Sequence, residues 1–307
     1  MIQTTLVDGL AVRWTLIPVQ ALVTLEARGQ EDLSVASPDE VFRGYLMGHS
    51  FRIPESKAWA SSVAIAAVPF PPRIVPFILN GRRRSIVLPS PYYRGRLTRA
   101  ELGTRLEHLL SRERPARVEE APTVPYKLLA ASCGLGSYGR NGLIHVEGLG
   151  TAHSLAVFWT SVPTDPVPSL SPKAHARCAS CAACVRRCPT AAIPAEFGPI
   201  RVERCIPLWN ELDRDLPPEF PPEASHALVG CVACQQCCPV DGEYLASAEE
   251  VPELSEAEVH VLLRAEWGTS LKEVLSRVLS SGDEVFLKEW APVLARNFAA
   301  HLQAFSA

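Results

Sequence analysis

The sequence predicts an α+β protein: a mixed α/β domain at the N-terminus, a small cysteine-rich domain after it, and a set of C-terminal helices. Three observations carry this. β-rich runs and helical patterns alternate up to about residue 160. Nine of the ten cysteines lie between Cys178 and Cys238. The residues after about 250 read as helices with one apolar face. The segments are expected at 1–165, 166–245 and 246–307.

Taken in order, Ala11 to Val19 is rich in β-formers and reads as a strand. Ser37-Pro38-Asp39-Glu40 reads as a helix start, with a serine cap, proline in the first turn and acids where the helix dipole favours them. That helix is expected to reach about Gly48. Ser61 to Val68 is a short apolar run closed by Pro69, as for a buried strand. Ile74 to Leu79, Asn80-Gly81 and Ser85 to Leu88 read as a hairpin, because Asn-Gly suits the two positive φ angles of a type I′ turn. Arg82, Arg83 and Arg84 follow it and read as a solvated edge, the sharper alternative being a phosphate contact. Thr98 to Ser111 places leucines at 102, 106, 109 and 110 on one helix face. Pro125 to Ser132 reads as a helix, and Leu143 to Val146 and Ser154 to Thr160 as strands. Prolines recur from Ser161 to Pro172, as in a linker. The C-terminal helices are expected at Ser255 to Glu266, Ser270 to Leu279 and Val285 to Leu302, the last broken or kinked near Pro292.

A net charge of −3 over 307 residues gives no global attraction to nucleic acid or an anionic membrane. No apolar run reaches the roughly 18 residues of a membrane span, and Met1 to Leu10 lacks the pattern of a signal peptide. A cytoplasmic location is therefore expected, and in a reducing compartment clustered cysteines read as metal ligands rather than disulfides.

The first cysteine run is Cys178-x2-Cys181-x2-Cys184-x3-Cys188-Pro189, the bacterial ferredoxin pattern. Three thiolates two residues apart wrap three corners of one [4Fe-4S] cubane, and the fourth, followed by proline, serves a second cluster. Zinc also binds Cys-x2-Cys pairs, but a triple followed by Cys-Pro favours iron and sulfide. The second run, Cys231-x2-Cys234-x2-Cys237-Cys238-Pro239, is not a copy of the first, since position 241 holds Asp241. Two clusters need eight thiolates and nine are present. One partition assigns Cys178, Cys181, Cys184 and Cys238 to one cluster and Cys188, Cys205, Cys231 and Cys234 to the other, leaving Cys237 spare. Its rival gives the second cluster Cys188, Cys231, Cys234 and Cys237 and leaves Cys205 spare. Spacing does not choose between them. The fold class is thus α+β with a bacterial-ferredoxin-like double-cluster domain at its centre.

The segments CASCAACVRRCPTAAI from Cys178, Arg204-Cys205-Ile206 and GCVACQQCCP from Gly230 resemble the double-cluster domain of the epoxyqueuosine reductases. LLAASCGLGSYGRNGL from Leu128 is similar to that family's helix and glycine-rich turn, and Ala295-Arg296-Asn297 to a segment after the domain. The resemblance runs from about Ile53 to about Leu302. It implies two [4Fe-4S] clusters paired with a base-off cobalamin that reduces the epoxide of a modified tRNA base, and kinship with reductive dehalogenases. It also implies the first partition, with Cys205 in cluster two and Cys238 in cluster one. The family's proton-donating aspartate has no identical counterpart; the matching stretch offers Glu119 and Glu120 as candidate acids, the plain alternative being two solvated glutamates on a loop. Gly134, Gly136, Ser137 and Gly139 are expected to let backbone approach the corrin. They also fit G-x-G-x-x-G, but a helix before and a strand after oppose a dinucleotide site.

Cys133 reads as a packed thiol. His145, His153 and His175 read as structural, since the Asp-x-His-x-x-Gly pattern of histidine-ligated cobalamin would need aspartate at 143, which is leucine. The resemblance implies an iron–sulfur reductase with an electron donor such as a ferredoxin or flavodoxin, and a small-molecule or modified-nucleoside substrate. The helical-repeat extension of tRNA-acting relatives has no counterpart, which with the charge of −3 weakens the expectation of tRNA. The alternative is a ferredoxin-like electron-transfer protein that reduces a partner.

Overall fold

The computed structural model describes residues 1–33, 48–112, 114–165, 170–212, 214–242 and 244–304. The helix expected from Ser37 falls almost wholly outside them. The strands are β1 (Gln3–Val7), β2 (Leu10–Pro18), β3 (Ser62–Pro69), β4 (Arg73–Leu79), β5 (Arg82–Leu88), β6 (Val118–Glu120), β7 (Ser137–Tyr138), β8 (Ile144–His145), β9 (His153–Thr160) and β10 (Glu249–Glu250). The α-helices are α1 (Gln20–Leu33), α2 (Arg99–Leu110), α3 (Tyr126–Ser132), α4 (Ala183–Arg187), α5 (Pro207–Asn210), α6 (Ala233–Gln236), α7 (Glu256–Arg264), α8 (Thr269–Leu279) and α9 (Glu284–Ala304). They group into two units, 1–69 with 96–181, and 70–95 with 182–307. The segments read from composition divide the chain elsewhere, and the proline-rich stretch lies, where described, in the first unit, with Leu170 in its core.

In the first unit β1-β2-β3-β9-β6 form one sheet, antiparallel at every pairing. β3 is central and buried on both faces, which is why its sequence shows an unbroken apolar run and no alternation. Val63, Ile65 and Ala67 face a core shared with Leu129 and Ala130 of α3, while Ala64, Ala66 and Val68 face one shared with Leu102 and Leu106 of α2. α2 starts in a capping box between Thr98 and Glu101. Gly103 lets it approach the sheet, since a Cβ there would stand 3.1 Å from the Phe158 ring.

In the second unit β4 and β5 form the expected hairpin, with φ of 51° at Asn80 and 68° at Gly81. β10 adds parallel to β4. Arg83 pairs with Glu250 and Glu253, each at 2.6 Å, on the exposed edge. Phe77 and Ile86 pack beneath Val259 of α7, Leu275 of α8 and Leu294 and Phe298 of α9. Of the break or kink expected near Pro292, the break does not occur. α9 continues from Glu284 to Ala304, because Leu287, Ala291, Leu294 and Phe298 bury the same face on both sides of the proline. No helix among the described residues is long and apolar enough to cross a membrane.

Candidate metal centre

Cys178 and Cys181 close the first unit; the seven later cysteines belong to the second. In the second unit, five of them converge. Burial pushes the Cys234 thiol well above its ordinary range, and the neighbouring thiols of Cys231, Cys205, Cys184 and Cys188 push it further. Burial, with a smaller push from Cys188, raises Cys231 to about 12. Crowded thiols that oppose one another's ionisation need a cation to hold them as thiolates, and coordination to a metal supplies it.

Two reciprocal pairs of hydrogen bonds bring Cys205 into this group. The Thr190 hydroxyl donates to Arg204 O, and Arg204 Nε donates to Thr190 O at 2.6 Å. This fixes the segment before Cys205 to the loop after Cys188-Pro189. Farther on, Asn210 Nδ2 donates to Gly230 O at 2.8 Å, and Gly230 N donates to Asn210 Oδ1 at 2.9 Å. This fixes α5 to the residue before Cys231. Asn297 of α9 completes the frame, its Nδ2 donating to Asn210 O and Leu228 O at 2.8 and 3.1 Å. The Ala192 amide donates to Cys188 Sγ at 3.2 Å. His226 Nε2 accepts from the Val232 amide at 3.2 Å and lies 3.4 Å from Cys231 Sγ. Cys237 is half-buried, and its thiol contacts Cys234 O at 3.7 Å. The residues that build this frame, Thr190, Arg204, Asn210 and Asn297, carry no motif of their own. Thr190, Arg204 and Asn297 stood in segments the sequence marked, and Asn210 did not.

The first unit holds its own cysteines with Arg140, whose side chain is buried. Its Nε donates to Cys181 O at 3.1 Å and its Nη2 to Cys178 O at 2.9 Å. A planar guanidinium satisfies both carbonyls at once.

The glycine-rich turn links α3 to the β7–β8 hairpin. Gly134 has φ of +80° with open space at its Cβ position. A Cβ on Gly136 would stand 2.4 Å from Ile144 Cγ2, and one on Gly139 2.5 Å from His145 Nε2. These two glycines are therefore required by the turn's own packing, and Ser137 pairs with His145 in the hairpin. The corrin seat expected of them finds no separate support in this geometry. His145 is buried, with its ring 5.4 Å from that of His175, and His153 Nδ1 lies 3.1 Å from Gly150 O. Burial raises the Cys133 thiol to about 11.

Glu119 and Glu120 end β6. Glu119 binds Lys57 and Arg117, and Arg117 also stacks 4.1 Å over the Trp59 ring. Hydrogen bonds from Lys57 and Arg117 hold the Glu119 carboxyl below the usual range, which opposes the proton-donor role expected of it. Glu120 meets Arg99 at 3.2 Å on the surface.

Residues 177–241 match the family described as the 4Fe-4S double cluster binding domain, and its thiolate donor set fits the convergence seen here. An epoxyqueuosine reductase of Staphylococcus aureus is 35% identical over 80 residues, 26% of this chain and 20% of that protein. The matched segment therefore spans about a fifth of that relative's length. The structure of epoxyqueuosine reductase from Streptococcus thermophilus superposes with a TM-score of 0.60 at 14% identity, covering 96% of this chain and 78% of that one. The Bacillus subtilis enzyme, with its catalytic loop swung out of the active site, gives 0.61 at 21% over 95% and 77%. A complex of an epoxyqueuosine reductase with an epoxyqueuosine-modified tRNA-Tyr stem loop gives 0.62 at 19% over 96% and 77%. The chain shares the fold of these enzymes and carries a double-cluster domain.

Proposed function

We propose that the chain is an iron–sulfur oxidoreductase of the epoxyqueuosine reductase kind, using two [4Fe-4S] clusters to deliver electrons for reduction of an epoxide or a similar substrate. The observation that carries this reading is the convergence of Cys184, Cys188, Cys205, Cys231 and Cys234, framed by the Thr190–Arg204 and Asn210–Gly230 bond pairs. Cys188, Cys205, Cys231 and Cys234 form the proposed ligand set of one cluster, the partition the family resemblance implies. Cys178, Cys181, Cys184 and Cys238 form that of the other, on the sequence pattern. When bound, the clusters supply single electrons at low potential. The chain's own part is to hold the thiolates, donate the Ala192 amide to Cys188 and brace the first run through Arg140.

A base-off cobalamin as the electrons' destination rests on likeness of fold, and no step is assigned to it. A modified nucleoside, free or in tRNA, is the proposed substrate, because a neighbour of this fold is seen with a modified stem loop. A low-potential carrier such as a ferredoxin or flavodoxin is the proposed donor, in a reducing compartment such as the cytoplasm.

The test is reductive turnover by the cluster-loaded chain with added cobalamin, offered an epoxyqueuosine-modified stem loop and the free nucleoside in parallel. Conversion of either supports the reading, and preference between them names the substrate form. Full cluster content with neither converted and no change in the cobalamin spectrum would sink the reductase reading and favour a pure electron carrier.

A further inference from the structure

Tyr92 lies in the second unit, just after β5 and far in sequence from every cysteine. Its hydroxyl donates to the Glu211 carboxylate. Its ring occupies the space beside Gly230 where any side chain would project: a Cβ there would stand 2.3 Å from Tyr92 Cε2. Gly230 has φ of +69°, so both its conformation and its contact require glycine. The next residue is Cys231. Glu211 in turn follows Asn210, which binds both backbone groups of Gly230. The Tyr92–Glu211 pair and the ligand loop are thus parts of one hydrogen-bonded frame. Trp290 of α9 backs the tyrosine edge-on at 5.8 Å. The thiols of Cys205 and Cys231 lie within electrostatic reach of the Tyr92 hydroxyl.

We infer that Glu211 is a positioning residue that lowers the reduction potential of the cluster held by Cys188, Cys205, Cys231 and Cys234, and that Tyr92 holds its carboxylate in place. This rests on the two-cluster reading above. A cluster becomes more negative when it takes an electron, so a carboxylate fixed in the frame that carries its ligand loop opposes reduction. Charge, hydrogen bonding and exposure are the levers that set cluster potentials. The tyrosine proton shields that carboxylate and fixes its position, so the two residues act with opposite sign.

The test is a redox titration of the full chain with both clusters loaded, followed by electron paramagnetic resonance, for the wild type, Glu211→Gln, Glu211→Asp and Tyr92→Phe. Glu211→Gln is expected to shift one cluster's one-electron reduction equilibrium about tenfold towards the reduced form, about 59 mV upward, with the other cluster unmoved. Glu211→Asp should restore most of the wild-type value, and Tyr92→Phe should give no upward shift. With iron content unchanged, an unmoved potential in Glu211→Gln, or equal shifts in both clusters, would overturn the inference. Equal loss of cluster iron in Glu211→Gln and Glu211→Asp would also overturn it, leaving a structural role only. A wild type without any [4Fe-4S] signal would instead refute the two-cluster reading itself.

Discussion

Cys205 stands seventeen residues beyond Cys188 and outside both cysteine runs, yet its thiol reaches Cys234. Cys237 belongs to a run by spacing, and its thiol contacts the Cys234 carbonyl oxygen rather than completing the set the family resemblance implies. Cys205→Ser is therefore expected to lose about half of the cluster iron, and Cys237→Ser to retain nearly all of it. The reverse result in iron and sulfide assays would reinstate the rival partition. Arg140 makes a second case. Arg140→Ala would orphan the carbonyls of Cys178 and Cys181 at a cost of roughly 1–3 kcal/mol for each buried group left unpaired. Arg140→Lys should rescue little, since a single ammonium does not reproduce the fork. Comparing cluster content in the two variants checks this.

At the scale of elements, the legible features were those fixed locally. Asn80-Gly81 announces its turn because two consecutive positive φ angles suit few other pairs. Thr98 and Glu101 announce the start of α2 because the cap is closed within four residues. The frame around the cysteines was not legible, because Thr190 meets Arg204 and Asn210 meets Gly230 across loops without periodicity. Nor was the continuity of α9 through Pro292, which depends on a core contributed by other elements. That core gives two predictions. Phe298 lies edge-on to Phe77 at 4.9 Å, fully buried, and Phe298→Ala should cost roughly 3–5 kcal/mol in denaturant unfolding. His301, next in the same helix, donates Nδ1–H to Ser225 O at 2.8 Å, and burial lowers its pKa from 6.5. A histidine held neutral in the fold binds its proton sooner when unfolded. Its contribution is complete above about pH 6.5 and falls as pH drops towards the lower folded value. His301→Gln should flatten that part of the stability profile, and an unchanged acid slope would contradict the assignment.

For the whole molecule, the sequence pattern identified the double-cluster domain and the mixed α/β domain before it. It did not reveal that the β4–β5 hairpin groups with the C-terminal residues, because that association joins 70–95 to 182–307 through a core with no local signal. The energetic consequence is that metal and fold are coupled in the second unit. Filling the thiol site binds the two cysteine runs and the Cys205 segment together, so iron removal should lower the unfolding temperature of the intact chain. The most direct measurement of the central claim is the iron and acid-labile sulfide content of anaerobically purified chain, with its resonance spectrum after reduction. Two [4Fe-4S] clusters predict about eight iron and eight sulfide per chain and the signals of two interacting clusters. Stoichiometric zinc without sulfide, or about four iron and a single isolated signal, would contradict it.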